Sequence, residues 1–444
     1  MLRAGWAEKD ITPLTGIPLG GYFTPRWADK ILDPLRVTVL YLSSKELDIA
    51  LVSLDLLALR IDTVKEWKRE ISKNTGIPEE CIFLHTVHTH SSPLMEEVYD
   101  QKPDWGYREL VKKKIIEALR EAQWREGEVE VRVEKSRIRG ITFNRRYRMK
   151  NGKVLTNPPR NHPDIVGPAG PVDEEMLLLK FSQDRENTLF MVNFALHVDT
   201  VDQNYISADF VGVLRDVLKK VYGEKSCLLF LQGASGDLNH INLKSEIPTY
   251  HPSHRWRIGR VLAGEVMKLA ELSSPLSFTS LRISSEEIEI GLRKPTSEEI
   301  EEAKKLLKEK GLKEGEYSLP LTSEDLARDE EKVKILFARE LIKLSDTRKD
   351  RENIEIHGIK LGEVVFIGIP GEVFTEIGIK IKEISPSPYT AITGLFNGSI
   401  GYIPTRKAFQ EGGYEILPTR YGRIGEDAEE KIIKTAQRII EKLK

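Results

Sequence analysis

The chain has 444 residues, with 67 basic side chains against 69 acidic ones and a formal net charge of −2. That balance excludes a nucleic-acid grip or a polybasic membrane anchor, because both need an excess of Lys and Arg to meet phosphate. A hydrophobic content of 40% with 31% charged residues describes a globular chain and not a disordered one.

At the N-terminus, MLRAGWAEKDITP carries Arg3, Glu8, Lys9 and Asp10 where a secretion signal would be apolar. The best apolar stretch, LDIALVSLDLLALR, is broken by Asp48, Asp55 and Arg60, so a spanning helix is excluded there. Cys81 and Cys227 supply neither a Cys-x-x-Cys pair nor a disulfide framework. The expectation is a cytoplasmic protein without integral membrane association. Lys and Glu richness, with two Cys and six Met, points to a thermophilic source.

Apolar, β-rich runs predict strands at Val37–Leu42 and Ile49–Leu54, followed by a helix over Thr63–Lys73 and a strand at Ile82–Val87. A helix over Tyr107–Trp124 precedes strands at Met176–Phe181 and Leu189–Leu196. Then come a helix over Ala208–Tyr222, a strand at Leu228–Leu231 and a helix over Ser253–Leu272. This alternation predicts an α/β fold of mixed sheets with packed helices. Thr296–Arg351 differs: EEIEEAKKLLKEKG and EDLARDEEKVKILFARELIKL read as two helices in a charged, solvated excursion. Strand character returns at Ile354–Leu361, Val364–Ile369 and Tyr389–Leu395, and a helix over Glu426–Lys444 closes the chain. No repeat, low-complexity linker or Pro-rich hinge interrupts 1–444, which is expected to form one catalytic domain.

Chemistry concentrates at strand ends, where α/β proteins collect ligands. The strand at Ile82 runs straight into His85, His88 and His90, three of only nine histidines. On an extended backbone His88 and His90 share one face and His85 takes the other. Two imidazoles on one face suit a metal ligand beside a catalytic neighbour. A second strand ends at His197, with Asp199, Asp202 and Asp209 downstream as candidate supporting groups or a helix cap.

Cys227–Gln232 enters a small-residue turn, Gly233-Ala-Ser-Gly-Asp237, and then the polar run Asn239, His240 and Asn242. Ser235 lacks the last glycine of a nucleophile elbow, because Asp237 stands there; a covalent mechanism with Ser235 as nucleophile and His90 as base is the runner-up. Glu372 follows a strand and a Pro-Gly turn at the start of an amphipathic helix, where it either complements the helix dipole or offers an oxygen ligand. Tyr402 and Tyr414 sit in Gly-rich loops.

In order, these segments resemble the catalytic domain of the neutral/alkaline ceramidase family of zinc-dependent amidases, from AGWAEKDITP and PLGGY to GYIPTRKAFQEGGYE. HTHSSP resembles the family's HTHSGP, which implies His88 as a zinc ligand and His90 as its catalytic neighbour. FALH implies His197 as a second ligand, PGEVFT implies Glu372, and GYIPT implies Tyr402 as a phenolate ligand. Tyr414 would polarise the carbonyl, and FNRRY places Arg145 in the pocket.

The small-residue turn departs from the family's GDVSPN, with Asn239 in place of serine. The chain also stops where the family continues into an immunoglobulin-like domain. Arg145, Arg146, Arg148, Asn239, His240 and Asn242 near the expected site predict a small polar substrate.

The resulting expectation is one Zn2+ held by His88, His197, Glu372 and Tyr402, activating water against a carbonyl. Tyr414 and Arg145 would stabilise the oxyanion, His90 would protonate the leaving group, and Asp237 would orient one of these groups. The bond is an amide C–N or the C–C bond of a cyclic keto-polyol such as an oxidised inositol. A lipid-amide hydrolase and a non-catalytic zinc-stapled binding protein are the alternatives.

Overall fold

The structure is a computed structural model that describes residues 2–23, 25–99, 101–184, 187–277, 280–312 and 331–444. Three main sheets organise it. The first places Ile82–Thr86, Asp48–Leu54, Arg36–Ser43, Arg3–Asp10 and Gly127–Glu128 side by side in that order. The second runs Cys227–Gln232, Thr188–Phe194, Glu175–Ser182, Glu130–Arg137 and Ser274–Pro275. The third runs Leu281–Gly291, Arg351–Leu361, Val364–Gly368 and Tyr389–Thr393. The mixed α/β architecture is the one expected.

Each sheet is mostly antiparallel but ends in one parallel pair. These pairs are Asp48–Leu54 with Ile82–Thr86, Thr188–Phe194 with Cys227–Gln232, and Val364–Gly368 with Tyr389–Thr393. All six strands are almost wholly buried, as the near-continuous apolar runs require. Helices close the outer faces. Ile61–Thr75 and Trp105–Trp124 cover the first sheet, Asp209–Tyr222 and Pro252–Leu272 the second, and Thr375–Ile384 and Ala428–Lys442 the third. Among the described residues no helix is long and apolar enough to cross a membrane.

Side chains and loop backbone stitch the parallel pairs to one another. Ser53 Oγ donates to Phe230 O at 2.7 Å, and the Gln232 amide donates to His85 Nε2 at 2.9 Å, joining the first sheet to the second. Asn193 Nδ2 donates to Leu231 O and Ile392 O, both at 3.0 Å, joining the second sheet to the third. Asn397 accepts from the Leu84 amide at 2.9 Å and returns its own amide to Leu84 O at 2.7 Å, closing the third sheet onto the first. His85 is therefore a buried structural acceptor that faces away from its neighbours His88 and His90.

Several strands escaped the sequence reading: Arg3–Asp10, Glu130–Arg137, Arg146–Met149 and Leu281–Gly291. In Glu130–Arg137 and Leu281–Gly291 many positions meet water, which breaks the apolar signal, whereas Arg146–Met149 carries an Arg146 buried against Glu415. The charged excursion forms helices at Ser297–Glu309 and Glu331–Ser345, and the intervening 313–330 lies outside the described residues. The second of these helices is not a solvated appendage. Val333, Leu336 and Phe337 are buried against Phe23, Tyr414 and Leu417, and Glu340 is fully buried against Arg420.

Helix Asp209–Tyr222 is pinned to the first sheet by a buried ion cluster. Arg215 meets Asp55 at 2.8 Å and Glu8 at 3.4 Å, and burial pushes the Asp55 carboxyl up while Arg215 pulls it down. Arg215→Ala leaves the buried Asp55 carboxylate without its guanidinium, while Glu8 keeps Lys219 at 2.7 Å, and is expected to cost about 3–5 kcal/mol in chemical denaturation. A loss below about 1 kcal/mol would show that the cluster does not hold the helix.

Candidate metal centre

His88 reaches the centre through a left-handed residue and not through strand alternation. The strand stops at Thr86, and the Val87 and His88 amides turn to Leu54 O and Leu56 O, each at 2.9 Å. His88 then takes φ of 73°, a conformation that costs a non-glycine residue on the order of 1–2 kcal/mol. The His90 amide binds Val198 O at 3.1 Å, which brings the loop carrying His88 and His90 onto the one carrying His197.

The tautomers follow from the carbonyls behind the rings. His88 Nδ1 lies 2.9 Å from Leu57 O, and His197 Nδ1 lies 3.3 Å from Ser235 O. A carbonyl only accepts, so each Nδ1 carries the proton and each Nε2 points a lone pair inward. Those two nitrogens are 3.1 Å apart, and His90 Nε2 is 3.3 Å from His88 Nε2. Burial pushes both His90 and His197 well below the usual imidazole range, so both rings are neutral.

Glu372 completes the cluster. Its Oε2 lies 3.2 Å from His88 Nε2 and 3.9 Å from His197 Nε2, is buried, and makes no hydrogen bond among the described residues. The carboxylate is not on the helix start expected from sequence, since the helix begins at Thr375. Glu372 instead lies in a two-residue strand, Glu372–Val373, paired in parallel with Tyr402–Ile403, and Glu372 is the direct register partner of Tyr402. Gly236 lets the neighbouring turn approach: its amide binds Val373 O at 2.8 Å, and a Cβ there would stand 2.3 Å from Glu372 O.

Lone pairs facing one another in a buried space repel unless a cation lies between them. Ligand atoms around a tetrahedral zinc with bonds of ~2.0–2.1 Å are about 3.3 Å apart, close to the spacings of His88 with His197, His90 and Glu372. His88, His90 and His197 form a group able to hold a metal ion. The nitrogen and carboxylate donors, the fixed tautomers and the orphaned Glu372 oxygen fit a borderline cation such as zinc.

Beside the cluster, Tyr402 and Tyr414 place their hydroxyls 3.2 Å apart. Arg145 lies 5.3 Å and 5.4 Å from their ring centres. Burial raises the Tyr402 phenol well above its usual value and the Glu372 charge raises it further, so it keeps its proton unless a cation sits beside it. Arg145 is itself held by Glu415 at 3.2 Å, and Arg146 meets the same carboxylate at 2.8 Å. Burial pushes the Glu415 carboxyl up, but Arg146 and Arg145 more than offset it and hold it below the ordinary value.

The side chains of the remaining expected residues make their hydrogen bonds with groups outside the histidine and Glu372 cluster. Asp237 is buried and accepts from Asn144 Nδ2 at 2.8 Å and the Thr375 amide at 2.7 Å, tying the Arg145 strand to a helix start. Asn239 bonds Asn157 and the Ile241 amide, His240 bonds Thr249 O, and Asn242 receives the Lys244 amide in its own loop. Ser235 Oγ accepts from Gln232 at 2.6 Å, and it is the Ser235 carbonyl, not the hydroxyl, that touches His197. Arg146 and Arg148 serve Glu415 and Glu411.

Asp199, expected as a candidate supporting group, does meet the site, together with other groups that sequence reasoning missed. His90 Nδ1 faces Asp199 at 3.8 Å, and Tyr22 donates to the same carboxylate while packing edge-on against His90 at 5.5 Å. Arg26 donates to His90 O at 2.6 Å and to Gly20 O at 2.7 Å, clamping the PLGGY segment over that histidine. Phe23 stands between Tyr414 at 6.2 Å and Phe337 at 6.1 Å. Tyr22 lay in a motif already singled out; Glu415, beside Tyr414, carried no signal of its own.

No family model matches the chain, and no curated protein matches it. Among solved structures, neutral ceramidase from Pseudomonas aeruginosa superposes with a TM-score of 0.74 at 17% identity, covering 99% of this chain and 75% of that one. A ceramidase complexed with C2 superposes with a TM-score of 0.72 at 15% identity, covering 100% of this chain and 75% of that one. At such identities the likeness establishes the fold.

Glu415→Gln leaves two buried guanidiniums facing a neutral amide and is expected to cost about 3 kcal/mol at pH 7. Because the folded carboxyl sits below its ordinary value near 4.5, its contribution is complete above that value and is lost as pH falls through the folded one. Urea melts of wild type and variant should therefore converge as pH drops below about 4. A gap that persists unchanged at low pH would assign the loss to packing.

Proposed function

We propose that the chain is a zinc-dependent hydrolase acting on a carbonyl-centred bond of a small polar substrate. The observation that carries this reading is the buried Glu372 Oε2, which has no hydrogen-bond partner among the described residues and lies 3.2 Å from His88 Nε2, itself 3.1 Å from His197 Nε2. His88, His197, Glu372 and Tyr402 would hold the metal. Bound there, zinc would polarise a carbonyl oxygen and lower the pKa of water towards ~7.

The chain's own residues then divide the work. His90, neutral and outside the proposed ligand set, can take a proton at Nε2 and pass it to the leaving group. Asp199, facing Nδ1, would stabilise the imidazolium formed. The Tyr414 hydroxyl, held beside Tyr402 and backed by Arg145, can donate to the carbonyl oxygen as charge builds on it, a contribution of about 3 kcal/mol. Arg145 is held as a cation beside the buried Glu415 carboxylate, 3.2 Å away.

Addition to a carbonyl carbon serves both an amide C–N bond and the C–C bond of a cyclic keto-polyol. The ceramidase neighbours favour the amide.

Metal analysis of the purified protein is expected to give one zinc per chain, and chelation to abolish turnover of a panel of amides and cyclic ketones, with zinc restoring it. His88→Ala should lose both metal and turnover. Tyr414→Phe should keep the metal and lower kcat about 10²-fold. Turnover that survives in His88→Ala would refute the ligand assignment.

A further inference from the structure

A cleft of about 370 Å³ opens beside the centre, lined by Glu372 and by Leu57, whose carbonyl orients His88. The size suits a small molecule. Its charged lining is unevenly neutralised. Lys349 is paired with Glu352 at 2.5 Å, Arg420 with the buried Glu340 at 2.9 Å, and Glu96 receives Arg108 at 3.4 Å and the Arg60 amide at 3.0 Å.

Two cations and the exposed Asp62 carboxylate are left over. The Arg60 guanidinium makes no ion pair or hydrogen bond among the described residues and lies 5.8 Å from the Tyr421 ring centre. Arg423 has no ion pair among them and donates once, to Arg293 O at 3.2 Å; burial lowers its pKa, with Glu352 and Asp350 opposing. The chain holds both beside Glu372: Arg60 bridges Ser399, the Glu372 amide binds Gly401 O at 2.9 Å, and a Cβ on Gly401 would touch Tyr421 and Gly422.

Two guanidiniums in a cleft that a proposed metal ligand also lines form a ready receptor for a planar or tetrahedral group of anionic oxygens, because each offers paired N–H donors. We infer that the substrate carries a carboxylate or phosphate held by Arg60 and Arg423 while its carbonyl lies at the metal centre. This rests on the hydrolase reading for the carbonyl, but the anion receptor stands on the cleft itself.

The probes are N-acetyl-β-alanine with its carboxamide, and N-acetylethanolamine phosphate with N-acetylethanolamine. Calorimetric binding to the purified protein and turnover are both measured. The anionic member of at least one pair is expected to bind about tenfold or more tightly, and which pair shows it distinguishes carboxylate from phosphate. That ratio should fall towards one with rising salt and in the Arg60→Gln/Arg423→Gln double variant. Equal affinity for charged and neutral members in the wild type overturns the inference, and needs no variant to fold. A ratio unchanged in a folded double variant does so as well. Anion preference without hydrolysis of any probe supports the receptor while counting against the hydrolase reading; hydrolysis without anion preference does the reverse.

Discussion

Everything in the site depends on how three sheets settle the polar groups at their buried strand ends. A backbone amide or carbonyl that leaves its ladder inside the protein must find a partner or cost free energy. Here Ser53, His85, Asn193 and Asn397 supply those partners across sheet boundaries. Each bond satisfies the edge of one parallel pair with an atom from another. The carboxyl ends of the three pairs are thereby held together, and the loops leaving them carry His88, His197, Glu372 and Tyr402 to a common point.

That common point is electrostatically incomplete by itself. Two imidazoles with their protons committed to backbone carbonyls, a third neutral ring and a carboxylate oxygen without a donor all present electron pairs to one small space. A few ångströms away the sign reverses, with Arg145 and Arg146 sharing the fully buried Glu415. The tyrosine pair lies between the two regions. A phenol there feels Glu372 on one side and Arg145 on the other, so its proton is sensitive to any charge added at the histidines. The arrangement suits chemistry in which negative charge develops on an oxygen between a cation site and a hydroxyl donor.

The helix Glu331–Ser345 changes the meaning of the charged segment. Its composition reads as a solvated face, yet Phe337 and its neighbours close over Phe23 and Tyr414. An amphipathic helix buries only a stripe, and a short stripe of Val333, Leu336 and Phe337 is easily outvoted by flanking Lys and Glu in any composition window. The same limitation hid Glu415. A single acidic residue in a loop is unremarkable until two arginines, some 270 positions earlier in the chain, are found against it.

What the sequence determined by itself was local and periodic: the buried parallel strands, the helices between them, and the strand-end histidines with the acid and tyrosines that follow later strands. Those signals arise from hydrophobic burial and backbone geometry within a dozen residues, so no partner segment is needed to see them. Only the tertiary structure decided which polar residues meet. Asn239, His240 and Asn242, close to the centre in sequence, spend their hydrogen bonds within neighbouring loops, whereas Tyr22 and Glu415 converge from distant segments. Side-chain polar contacts are short-ranged, and which groups come within that range is set by sheet packing and by a single left-handed residue at His88, neither of which a local pattern encodes.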